Sequence, residues 1–158
     1  MAGSAIPLAI DALLGLVNGS SSFAGVKVFD GPRVSDNDLV NKDRLYIGDS
    51  VQDEPAVEGE ESAAHSDLIS RDEEFAIVCT AEAWTGDVDM KPRRDRAFAL
   101  KNALEVLVRP TVVGGSQPTL GGVVLWAEVA GGVRVDQKQT PNGAVCSVTF
   151  HVNCRARI

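Results

Sequence analysis

Apolar side chains first recur with a helical period: Ile6, Ile10, Leu13, Leu14 and Val17 fall at i, i+4, i+7, i+8 and i+11, one face of an α-helix. Ser4 supplies an N-cap, Pro7 is tolerated in the first turn, and Asn18 with Gly19 stops the helix. The period then falls to two. "AGVKVF" reads as a short strand closed by "DGP", where Gly permits positive φ and Pro fixes φ, and "RLYIG" reads as a second strand.

A longer alternation runs through "EEFAIVCTAEAWTG", with Phe75, Ile77, Cys79, Ala81 and Ala83 on one face and Val78, Thr80, Glu82 and Trp84 on the other. That is a third strand. Helical spacing returns from about Lys91 to Val108, with Ala97, Leu100, Ala103, Leu104 and Leu107 on the apolar stripe, Arg93, Arg94, Arg96 and Lys101 outside it, and Pro110 ending the helix. Two long arms, "GGVVLWAEVAGGVRVDQKQ" and "GAVCSVTFHVNCRARI", flank the hairpin signal "TPNG", and Gly131–Gly132 allow a bend in the first arm. The second arm alternates Ala144, Cys146, Val148, Phe150, Val152, Cys154 and Ala156 with polar residues, so one face is buried. The expected fold is therefore α+β, in the order α-β-β-β-α-β-β. It has an antiparallel or mixed sheet of about five strands and two main helices packed on one side, in a single domain over residues 1–158.

Residues 49–74 break the periodicity. They hold ten carboxylates with only Arg71 as a basic residue, together with Pro55 and Gly59, and they read as a long acidic loop or arm that is extended when free.

Charge is unevenly divided. Residues 1–90 hold 18 acidic and 5 basic residues, net −13, whereas 91–158 hold 4 acidic and 10 basic, net +6, giving the overall −7. Such polarity lets the basic face of one copy meet the acidic face of another and disfavours general nucleic-acid binding. No apolar run approaches the roughly 20 residues that cross a bilayer. The opening "MAGSAIPLAIDALLGLV" has no basic residue before its apolar run and carries Asp11 within it, so it reads as an amphipathic helix rather than a signal peptide. Three cysteines in no metal-ligand spacing, all on apolar faces, point to buried thiols in a reducing compartment.

Chemical motifs are sparse. Asp30, Asp36, Asp38 and Asp43 surround a polar loop, but "DND" lacks the Gly and Glu that complete a calcium loop. Asp30, Asp36 and Asp38 remain the ligand set for one alternative, a small carboxylate-dependent metal hydrolase. His65 sits in the acidic segment, and His151 lies on the polar face of the last strand, suited to a cross-strand hydrogen bond. The glycines of "VVGGSQPTLGG" lack a phosphate-loop Lys and follow a helix. No catalytic residue, metal site or cofactor is assigned.

The chain resembles the tail terminator, or tail-completion, family of long-tailed bacteriophages. The resemblance rests on the first helix followed by "VKVFDGP", then "LYIG", "FAIVCTAEAWTG", "RRDRAFALKNALEVLVRP" and the two closing strands. It implies a structural, non-enzymatic virion protein, assembled in the host cytoplasm. Such a protein forms a hexameric ring at the head-proximal end of the tail, ends polymerisation of the tube protein and contacts head-completion or neck proteins. DNA would pass through an acidic or neutral lumen without specific binding. A head-completion or neck connector is the structural alternative. Expected subunit-interface residues are Arg93, Arg94 and Arg96 on the second helix, meeting Glu58, Glu60, Glu61, Asp72 and Glu73 of a neighbour's acidic arm.

Overall fold

The computed structural model describes residues 3–32, 43–51, 54–63, 70–109 and 118–158. It is an α+β fold in which two helices cover one face of a seven-stranded mixed sheet. Helix α1, Ile6–Asn18, buries Ala9, Leu13 and Val17, and helix α2, Met90–Val108, buries Ala97, Leu100, Leu104 and Val108. Both apolar stripes were legible from the spacing.

The spine of the sheet is β4, Arg71–Trp84, antiparallel to β7, Gly143–Arg157, in continuous register from Asp72 opposite Arg157 to Trp84 opposite Val145. Each spine strand carries two shorter strands on its outer edge. β2, Arg44–Ile47, pairs with the second half of β4, and β3, Val57–Ala63, pairs with the first half. On the other side β5, Trp126–Val129, lies along the end of β7, and β6, Arg134–Thr140, along its start. β1, Lys27–Asp30, runs parallel to β2, which makes the sheet mixed. The molecule is thus two long antiparallel hairpins laid side by side, each with its first arm broken.

Both breaks have a local cause. Gly48 (φ 75°) and Asp49 both donate their backbone N–H to the carbonyl of Val78, whose own N–H goes to Ala56. The chain bulges out between β2 and β3 at that point. The second break is the bend at Gly131 (φ 93°) and Gly132, as the paired glycines suggested.

The α+β class is as expected, and two details are refined. The sheet has seven strands instead of about five, because the first arm of the closing hairpin is split and because the acidic segment is not simply a loop. Residues 57–63 form β3, and β4 already begins at Arg71. Charge had masked the period, since carboxylates fill both the outer and the inner positions of this edge. Glu58 and Glu60 lie on one face, while Glu61 lies on the other and pairs with Arg71 at 3.0 Å.

The core between sheet and helices joins Leu45, Ile47, Phe75, Ile77, Cys79, Val148, Phe150 and Val152 to Leu13, Val17, Leu100 and Leu104. Each such fully buried side chain contributes roughly 1.5–3 kcal/mol. The three cysteines are free and buried. Burial pushes the thiols of Cys79 and Cys154 up to about 12 and raises that of Cys146, so they stay protonated and poorly nucleophilic. No helix among the described residues is long and apolar enough to cross a membrane.

Candidate assembly interface

The face of the sheet turned away from the helices carries many of the strands' polar residues, and strand register arranges them in rows. One row runs Arg44, Glu82, Ser147, Asp136 across β2, β4, β7 and β6. Arg44 and Glu82 form an ion pair at 2.5 Å, the Ser147 hydroxyl donates to Glu82 at 2.6 Å, and the Arg44 guanidinium lies 5.1 Å from the Trp84 ring centre. The ion pair is buried, with Arg44 6% and Glu82 3% exposed. The next row stacks Phe29 on Tyr46, with ring centres 5.0 Å apart, and bonds Thr80 to Thr149 at 3.3 Å. Glu54 closes over this face, approaching His151 at 3.4 Å and Arg134 at 3.7 Å. His151 takes the cross-strand role expected of it, with Nδ1 3.0 Å from the carbonyl of Gly132.

At the other end of the same face, the rows are Glu60, Glu74, Arg155, Trp126 and Glu58, Ala76, Asn153, Glu128. They floor a groove of about 430 Å³ lined by Glu58, Glu60, Glu74, Trp126 and Asn153. Gly59 lets β3 lie close here, since a Cβ at this position would be 2.9 Å from that of Phe75.

The eight expected interface residues divide sharply. Asp72 and Glu73 are both bonded within the chain. Asp72 is 5% exposed and accepts from Arg155 at 2.7 Å and from Arg157 at 2.8 and 3.2 Å. Glu73, on the opposite face, accepts from the Ser4 hydroxyl at 2.5 Å and the Ala5 N–H at 2.7 Å. It thereby ties the start of α1 to the sheet and satisfies one of the free N–H groups at the helix end. Glu61 is spent on Arg71. Of the five expected carboxylates, Glu58 and Glu60 alone make no hydrogen bond or ion pair among the described residues.

The basic row on α2 is similarly occupied. Arg96 pairs with Asp43 at 2.7 Å and Arg94 donates to Gln137 at 2.9 Å, while Lys91 pairs with Asp95 one turn on. Arg93 instead lines a cavity of about 580 Å³ with Lys27, Asp43, Trp84 and Thr85, and its Nε has no partner. Within the arm, Asp72 and Glu74 are met by Arg155 and Arg157 of their own chain, which lie far away in sequence and opposite in register. Sequence reasoning also missed the Arg44–Glu82–Ser147 row. Its one visible signal was Glu82 standing inside an otherwise apolar strand.

Hydrogen bonds from Arg157 and then Arg155 hold the Asp72 carboxyl down at about 2. Its unfolded value is about 3.9, so the contribution to stability is complete above that pH and is lost as pH falls through about 2. We expect the urea midpoint of Asp72→Asn to lie below that of the wild type at pH 6. The gap should narrow progressively between about pH 4 and pH 2; a gap constant over that range would show that the carboxylate charge contributes nothing.

Of the metal-ligand alternative, Asp30 ends β1, whereas Asp36 and Asp38 lie outside the described residues, as do His65, Pro110, Gly114 and Gly115. Among the described residues no three His, Cys, Asp or Glu side chains are grouped to hold a metal. The chain matches no protein-family model and no curated protein sequence.

Proposed function

We propose that this chain is a structural ring subunit of the phage tail-terminator kind. It would cap the head-proximal end of the tail tube, stop its polymerisation and present a surface to head-completion or neck proteins. Support comes from the resemblance in element order and from one structural observation. Among the described residues, two acidic-arm carboxylates without a hydrogen bond or ion pair, Glu58 and Glu60, lie on one edge of the sheet, while the cations without one, Lys27, Arg93 and Lys138, lie toward its opposite end, beside the likewise unpaired Asp30 and Asp136. A subunit with opposite charges at opposite ends favours head-to-tail contacts, and such contacts close into rings when the rotation permits. The family resemblance makes the ring a hexamer. Its acidic excess suits a lumen through which DNA slides without being held.

Immunogold electron microscopy of virions and of isolated tails tests this directly. Label confined to the head-proximal end of isolated tails is the expected result. Label found only on heads would make the chain a neck connector, and absence from virions would remove the structural reading altogether.

A further inference from the structure

We propose that the outer edge of β3 in one copy pairs with the outer edge of β6 in the next, so that the sheet continues from subunit to subunit. The occupant of each edge is thus a second copy of this chain. That such copies close into a ring rests on the function proposed above; the pairing itself rests on the sheet.

The first observation is backbone supply. Among the described residues β3 pairs only with β4, and β6 only with β7. Each therefore leaves a row of N–H and C=O groups on its outer side, the usual template for an added strand. The two edges match in length, at seven residues each, whereas the other outer strands, β1 and β5, have four. Direction also matches. β3 and β7 both run against β4, and β6 runs against β7, so copies set side by side in the same orientation bring β3 and β6 together antiparallel.

Charge then selects the partner. Pairing β3 with β3 of another copy would crowd Glu58, Glu60 and Glu61 against their own kind, which opposes a two-fold dimer. β6 instead offers Arg134, Asp136 and Lys138 on the face that carries Glu58 and Glu60. In the register that sets Glu60 opposite Lys138, Ser62 faces Asp136, Glu61 faces Gln137 and Glu58 faces Thr140. No like charges meet. Glu60 and Lys138, each without a partner among the described residues, would satisfy one another. Val133 and Val135, 49% and 40% exposed beside this edge, are apolar surface that an added strand would help to cover.

Position supports closure. β3 flanks the first half of β4 and β6 the first half of β7, so the two edges occupy diagonally opposite corners of the sheet. Copies joined through them are staggered along the strands. A stagger of that kind is what a closed wall of tilted strands requires.

The test combines charge exchange with cross-linking on the full chain at high protein concentration and low salt. Glu60→Lys and Lys138→Glu should each weaken association about tenfold or more, because like charges then face each other, and the double exchange should restore it. Restoration distinguishes pairing from simple damage to the fold. In a chain carrying both Glu60→Cys and Lys138→Cys, mild oxidation should give a ladder of linked subunits, while the native thiols, all buried, stay unlinked. If oligomers form but neither cross-link nor charge exchange affects them, the pairing is wrong and the ring reading survives. If the wild type shows no association under these conditions, the edge pairing fails as well, and tail microscopy alone decides the function.

Discussion

Glu82→Gln is expected to destabilise the protein by roughly 3–5 kcal/mol, the usual consequence of leaving one member of a buried ion pair uncompensated. Glu82 is the sole anion paired with Arg44 among the described residues, at 2.5 Å, and Arg44 is 6% exposed with its Nε already lacking a partner. Trp84 attracts the guanidinium face but carries no net charge to replace the carboxylate. The double variant Arg44→Met with Glu82→Gln should recover most of the loss, because the apolar replacement needs no counter-ion. Urea unfolding of the two singles and the double closes a thermodynamic cycle. A double variant as unstable as Glu82→Gln would assign the loss to packing instead of charge.

Gly143→Ala should be comparably severe, costing about 2–6 kcal/mol from backbone strain and overpacking together. Gly143 has φ of +114°, and a Cβ there would lie 1.8 Å from the carbonyl oxygen of Thr85. The neighbouring Ala144 N–H donates to Asp87 at 2.8 Å, so this turn pins the β6–β7 hairpin to the segment that enters α2. The backbone cannot retreat without breaking that contact. Gly132→Ala is the control, since no atom lies within 4 Å of its added Cβ, and its midpoint should stay within about 0.5 kcal/mol of the wild type. Equal melting temperatures for Gly143→Ala and the wild type would mean that the hairpin turn relocates freely.

Helical spacing marked both helices and the residues that bury them, because an amphipathic stripe follows from local geometry alone. Strict alternation likewise marked β4 and β7, the two strands buried along one entire face. β3 was hidden for the converse reason. It is an edge strand with carboxylates on both faces, and alternation vanishes where neither face is buried. Five of the eight expected interface residues were legible as charge but not as availability. Asp72, Glu73, Glu61, Arg94 and Arg96 have the composition of contact residues, yet each is bonded within the subunit.

The sequence by itself determined the α+β class, the element order apart from the acidic strand and the split arm, the core stripes, the closing hairpin and the separation of acidic from basic halves. These depend on periodicities of 3.6 and 2 and on turn chemistry, all of which act over a few residues. The tertiary structure alone decided which charges remain free. A carboxylate is neutralised by whatever the register places opposite it, and here Asp72 meets Arg157 and Arg155 more than eighty positions away. Register arises only when β4 and β7 align over their full length, so the survival of Glu58, Glu60 and Lys138 as edge charges unpaired among the described residues is a property of the assembled sheet.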